Sequence, residues 1–103
     1  MTYAQILRLI WIDMFVANGD TPLQREHICV TFDISVPQAS LDIKRFISLF
    51  PARLAYDRSR KGYTAAERSE PAFDGASHSA VALACSAAAK HAARLELLSR
   101  SAA

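Results

Sequence analysis

Six basic side chains fall between residues 44 and 61, namely Lys44, Arg45, Arg53, Arg58, Arg60 and Lys61, against the single acid Asp57. Net charge over the whole chain is only +2, and residues 67–103 carry four charges of each sign. The positive field is therefore local, which is the electrostatic footprint of a surface that neutralises phosphates. Just ahead of it lie Gln38 and Ser40, side chains that can pair with base edges, with Val36 and Leu41 able to touch a thymine methyl. Asp42 is awkward in such company. It is expected to orient a neighbouring Arg or Lys, or less directly to accept from a cytosine. A basic hairpin that is merely solvated has the same composition, so the elements that carry these residues must decide.

Other chemistries find less support. Ser35, Asp42 and His27 are the residue types of nucleophilic catalysis, but Ser35 is accounted for as a helix cap, and there is no phosphate loop or suggestively spaced carboxylate pair. Cys29 and Cys85 stand apart in apolar surroundings with no Cys-x-x-Cys motif, so reduced, buried thiols are expected rather than a disulfide or a metal site. His27 reads as an exposed helix residue, and His78 and His91 have no evident role. No catalytic residue, cofactor or metal ligand is assigned. No stretch of about 18 uninterrupted apolar residues marks a membrane span, the first residues do not resemble a signal peptide, and a cytoplasmic protein is expected.

The helix that would present Gln38 and Ser40 is read from Ser35 to Phe50. Ser35 can cap it, Pro37 suits its first turn, and Pro51 stops it. Ala39, Ile43, Phe46, Ile47 and Phe50 form its inner stripe at helical period. A preceding helix is expected from a Thr21 cap with Pro22 at its first position to about Thr31, with Leu23, Ile28 and Phe32 facing the core. Helix, short turn and capped helix make a helix-turn-helix. The period then changes to two: Arg53–Asp57 and Gly62–Ala65 read as strands joined by the cationic tip Arg58-Ser59-Arg60-Lys61. Placed directly after a helix-turn-helix, that hairpin is a wing.

At the N-terminus, residues 3–17 form a helix with two apolar stripes. Tyr3, Ile6, Leu7, Ile10, Met14 and Trp11 are the expected core face. Leu9, Ile12 and Val16 form a second stripe that needs another cover. Residues 67–76 read as a linker, and 77–103 as an Ala-rich helix whose face carries Val81, Cys85, Ala88, Ala92, Leu95 and Leu98. These residues and the second stripe of the first helix are the expected dimer interface, although packing within one subunit also fits. The fold class is thus mainly α with a small β-hairpin, a winged helix-turn-helix over 1–66 followed by the C-terminal helix.

The stretches W-I-D-M-F-V-A-N-G (11–19), F-D-I-S-V-P-Q-A-S-L-D-I (32–43) and L-A-Y-D-R-S-R-K-G-Y (54–63) resemble the N-terminal winged helix-turn-helix of bacterial WYL-domain, DeoR-like transcriptional regulators. The resemblance covers roughly residues 5–66. It implies binding of double-stranded operator DNA, with roles for positions around Ser35, Gln38, Ser40, Leu41 and Lys44 and for the basic residues of the wing. It departs after the wing, where an Ala-rich helix stands instead of a WYL-type domain, so ligand sensing by that route is not carried over. The expectation is a dimeric repressor that occludes a promoter through an inverted-repeat operator, or else a shortened chain. The alternative is a winged-helix module that binds protein, for which a basic face is the wrong charge.

Overall fold

Thr2 opens the first helix by accepting from the Gln5 N–H at 3.2 Å, while the Gln5 side chain accepts from the Thr2 N–H at 2.8 Å. This reciprocal cap satisfies two donors that the helix itself leaves unpaired. The computed structural model describes residues 1–86. Its elements are α1 (Tyr3–Asn18), α2 (Arg25–Phe32), α3 (Val36–Leu49), β1 (Leu54–Asp57), β2 (Gly62–Ala65) and α4, over residues 75–86. Gly19 ends α1 in the left-handed conformation, φ 71°.

The core draws on the face of α1 that was expected to lie outside it. Leu9, Ile12 and Val16 are 2%, 0% and 4% exposed, whereas Tyr3 is 77% exposed and Ile6 is also on the surface. Of the expected core face, Trp11 alone is buried, at 7% exposure, while Leu7, Ile10 and Met14 are half-buried around the edge. The sequence misled because Arg8 and Asp13 interrupt the inner stripe and look like solvent-facing residues. Both are buried, and each is neutralised by a partner far along the chain, Asp42 for Arg8 and Arg53 for Asp13. Leu9, Ile12 and Val16 are therefore interior to one subunit and cannot be a dimer surface. The same holds for Val81 of α4, which is 2% exposed in the same core. Cys85 is half-buried against it, and burial pushes its thiol up. Ala88, Ala92, Leu95 and Leu98 lie outside the described residues.

Fully buried Ile12, Leu23, Ile28 and Phe46 each contribute about 1.5–3 kcal/mol through removal from water. Trp11 packs edge-on to Phe32 at 5.6 Å, and Phe50 to Phe73 at 5.5 Å. Ile47, read as structural, sits at the rim and is exposed.

The second helix starts at Arg25, later than the Thr21-Pro22 signal suggests. The intervening residues have another partner. Leu23 donates to the Tyr63 carbonyl at 2.7 Å and accepts from the Tyr63 N–H at 2.9 Å, forming an antiparallel bridge to β2. β1 and β2 pair in register Leu54↔Ala65 through Asp57↔Gly62, so the wing is a hairpin clamped to the chain segment before α2. Asp33, at φ 54°, ends α2, and Ser35 caps α3 by accepting from the Gln38 N–H at 3.3 Å.

Residues 67–76 do not behave as a linker. The N–H groups of Ala72 and Phe73 donate to Asp13 at 3.0 and 2.9 Å, strapping this segment across α1. Asp74 then caps α4, accepting from the Ser77 N–H at 2.7 Å.

Candidate nucleic-acid interface

The outer side of α3 carries Val36, Leu41 and Lys44 exposed, with Ser40 and Arg45 half-buried. Val36, Ser40 and Lys44 follow one another at intervals of four, so they share a helical face. Ser35 is exposed at the entrance, but its hydroxyl is engaged as the cap. Ser40 accepts from Arg25 Nη1 of α2 at 3.3 Å. No signal in the linear sequence ties Arg25 to Ser40, 15 residues away. Arg45 has one buried guanidinium nitrogen, Nη1, without a hydrogen-bond partner.

The wing tip owes its shape to Asp57. One carboxylate oxygen, Oδ1, accepts from the Ser59 hydroxyl at 2.8 Å and from the N–H groups of Ser59 and Arg60 at 3.0 and 3.2 Å. Those bonds, the Ser59 hydroxyl foremost, hold the Asp57 carboxyl below its ordinary range. The one acid in the basic run therefore builds the turn that displays Arg58, Arg60 and Lys61, all exposed. Lys61 sits at φ 55°, and its carbonyl accepts from Gln24 Nε2 at 3.3 Å. An open groove of about 540 Å³ runs between wing and helices, with Gln24, Arg25, Ser40, Tyr56 and Lys61 among its lining. Arg25 and Lys61 bring the charges of two distant segments to one concave surface.

Arg53 leaves the proposed phosphate set. It is 5% exposed; Nε donates to Asp13 Oδ1 at 2.8 Å and Nη1 to the Ser69 hydroxyl at 3.0 Å. A guanidinium in that position is a structural cation, since reaching a phosphate would strand Asp13 in the interior. Burial alone would raise the Asp13 carboxyl. The Ala72 N–H, His78, the Phe73 N–H and Arg53 together overcome it and hold the group below its ordinary range. His78 Nε2 stands 2.7 Å from Asp13 Oδ2, which gives the histidine a place that the sequence did not suggest.

Asp42 does hold an arginine, but that arginine is Arg8 of α1. Arg8 Nε donates to Oδ2 at 2.6 Å and Nη2 to Oδ1 at 3.2 Å. Gln38 is half-buried, and its Nε2 donates to the same Oδ1 at 3.1 Å. The Gln38–Asp42 contact was legible as an i, i+4 pair; the Arg8 contact, 34 residues away, was not. His27 is half-buried rather than exposed; its Nδ1 accepts from the Gln24 N–H at 2.9 Å and its ring lies 4.8 Å from Phe15. Among the described residues, no three His, Cys, Asp or Glu side chains are grouped as metal ligands would be, and no helix is long and apolar enough to cross a membrane.

Comparison with known proteins adds an independent line. The profile of a family described as the BrxR transcriptional regulator winged helix-turn-helix domain matches residues 5–81. The match runs past the wing through the strap and into α4. The DNA-binding transcriptional repressor CapW of Escherichia coli strain KTE188 is 35% identical over 71 residues, covering 69% of this chain and 23% of that protein. CapW of Pseudomonas aeruginosa is 37% identical over 71 residues, with the same shares of 69% and 23%. The aligned stretch thus spans about a quarter of the length of these relatives.

Proposed function

The chain belongs to the BrxR transcriptional regulator winged helix-turn-helix family, and from that premise we propose that it binds double-stranded DNA and represses transcription. The observation that carries the reading is the groove shared by α2, α3 and the wing, where Arg25, Ser40 and Lys61 meet beside the exposed face of α3. Lys44, Arg58, Arg60, Lys61 and Arg25 supply phosphate neutralisation, with Arg45 at the edge, and through it most of the affinity. Gln38, in the first turn of α3, reads a base, while Val36 and Leu41 offer apolar contact to a thymine methyl. Ser40 bonds a base or a phosphate. The CapW relatives are DNA-binding transcriptional repressors, which points the same way.

Repression would follow from occupancy of a promoter by a homodimer in the cytoplasm, its two copies of α3 ~34 Å apart on an inverted repeat. The apolar residues Leu9, Ile12, Val16 and Val81 take no part in that association, because one subunit already buries them. No catalytic step belongs to this reading.

Gel shift of the chain with sheared duplex DNA at low and moderate salt separates this function from a protein-binding module. Binding that weakens steeply with salt is expected, and no shift even at low salt would refute it. Selection of binding sites from random duplex should return a palindrome, which would show operator and dimer together.

A further inference from the structure

Gln38 is the third residue of α3 after its Ser35 cap, in the turn of a recognition helix that meets base edges. A free glutamine there can turn its amide over and exchange donor for acceptor, so it must first be ordered before it meets a base edge with two bonds. Gln38 is not free. Its Nε2 donates to Asp42 Oδ1 at 3.1 Å, and Asp42, 1% exposed, is gripped through both oxygens by Arg8. A carboxylate bound to a guanidinium offers only lone pairs, so only the NH2 end of the amide can face it. The turned-over amide would set its oxygen against Oδ1. One hydrogen of Nε2 is thereby used, and Oε1 and the other hydrogen remain for a ligand.

We infer that Arg8 and Asp42 are positioning residues that hold the Gln38 amide in one orientation, so that it presents acceptor and donor side by side and selects adenine. The major-groove edge of adenine offers the N6 donor and the N7 acceptor, the complement of that pair. Guanine offers two acceptors, thymine one acceptor beside a methyl, and cytosine one donor. An amide with one orientation meets adenine with two bonds and any other base with at most one. Arg8 exerts this control from α1, without contacting the nucleic acid. The inference rests on the DNA-binding reading above and adds which base is chosen and what enforces the choice.

The test compares the full chain with Gln38→Ala and with the double variant Arg8→Met, Asp42→Leu. The double variant removes both buried charges at once, so neither is left unpaired. Gln38→Ala identifies the base-pair position that Gln38 reads, and duplexes varied only there are then titrated. The unaltered chain is expected to prefer adenine by roughly tenfold or more, and the double variant by about threefold or less. Circular dichroism reports whether the variant is folded. A folded double variant that keeps the preference overturns the inference while leaving DNA binding intact, as does an unaltered chain preferring another base at that position. If Gln38→Ala flattens no position, Gln38 reads no base and the inference falls. A chain that binds no duplex at low salt overturns the functional reading and this inference with it. Should the double variant not fold, ¹⁵N relaxation of the Gln38 side-chain amide in the unaltered chain decides. An order parameter near that of rigid backbone, about 0.85, is expected, and one below about 0.6 overturns the anchoring.

Discussion

Arg53 and Arg60 carry the same charge seven positions apart, and the fold gives them opposite work. Arg60 is exposed on the wing tip, whereas Arg53 is locked under the base of the wing against Asp13. Replacing Arg60 by Ala should leave the urea midpoint within error and reduce the slope of log K against log salt by about 0.9, the value of one phosphate contact. Replacing Arg53 by Ala should do the reverse. It should cost about 3–5 kcal/mol in urea unfolding, towards the low end, because the Ala72 and Phe73 N–H groups still hold Asp13. Measured well inside the folded range, its salt slope should match that of the unaltered chain. The basic run is thus one patch in the sequence and two populations in space, and only burial distinguishes them.

The wing is positioned by more than its own hairpin ladder. Two strands of four residues have little independent stability, and the Leu23–Tyr63 bridge supplies a third, one-residue edge. Gly62 sits tightly against this edge. A Cβ there would come within 2.5 Å of Pro22 Cβ and 2.9 Å of the Leu23 carbonyl. Gly62→Ala should therefore destabilise the chain by about 1–3 kcal/mol through overpacking. It should also accelerate amide exchange at Leu23 and Tyr63 before it affects α1 or α3. Unchanged exchange at those two amides would mean that the bridge does not hold the wing. Thr21-Pro22 has the spelling of a helix start, yet pairing with the wing claims the residues that follow, and α2 begins at Arg25 with Gln24 as its cap. A local signal lost to a tertiary hydrogen bond.

Across the whole domain, Asp13 is the junction. It lies on α1, yet its carboxylate collects Arg53 from the foot of the wing, two N–H groups from the strap and His78 from α4. Four segments separated by up to 65 residues meet at one buried charge. Its carboxyl is held below the ordinary value despite burial, so its contribution to stability is complete above about pH 4 and is lost as pH falls through the lowered folded value. Urea midpoints should be level from about pH 7 to 5 and drop steeply in acid. Asp57 and Asp74 are lowered too, by the Ser59 hydroxyl and the Ser77 N–H respectively, and add to the fall. Asp13→Asn isolates the junction: the variant should be less stable at pH 7 and lose less on acidification. An acid profile parallel to that of the unaltered chain would show that Asp13 does not carry the dependence.

Features that depend on near neighbours were legible in the linear chain. Ser35 with Pro37 announced the start of α3, alternation marked strands over Arg53–Asp57 and Gly62–Ala65, of which the first proved one residue shorter, and the order of elements pointed to a winged helix-turn-helix, because caps, periods and turns act over one or two turns of chain. Which apolar stripe of α1 faces inward was decided only in three dimensions. Leu9, Ile12 and Val16 share their face with Arg8 and Asp13, and a charge belongs inside only where a partner awaits it. Those partners, Asp42 and Arg53, stand 34 and 40 residues further along, beyond the reach of any periodicity. The same pairings turned residues 67–76 from a spacer into a strap, withdrew Arg53 from the candidate surface and gave Gln38 an anchor. Pairing between distant charges in a low-dielectric interior is the physical step that the linear pattern does not contain.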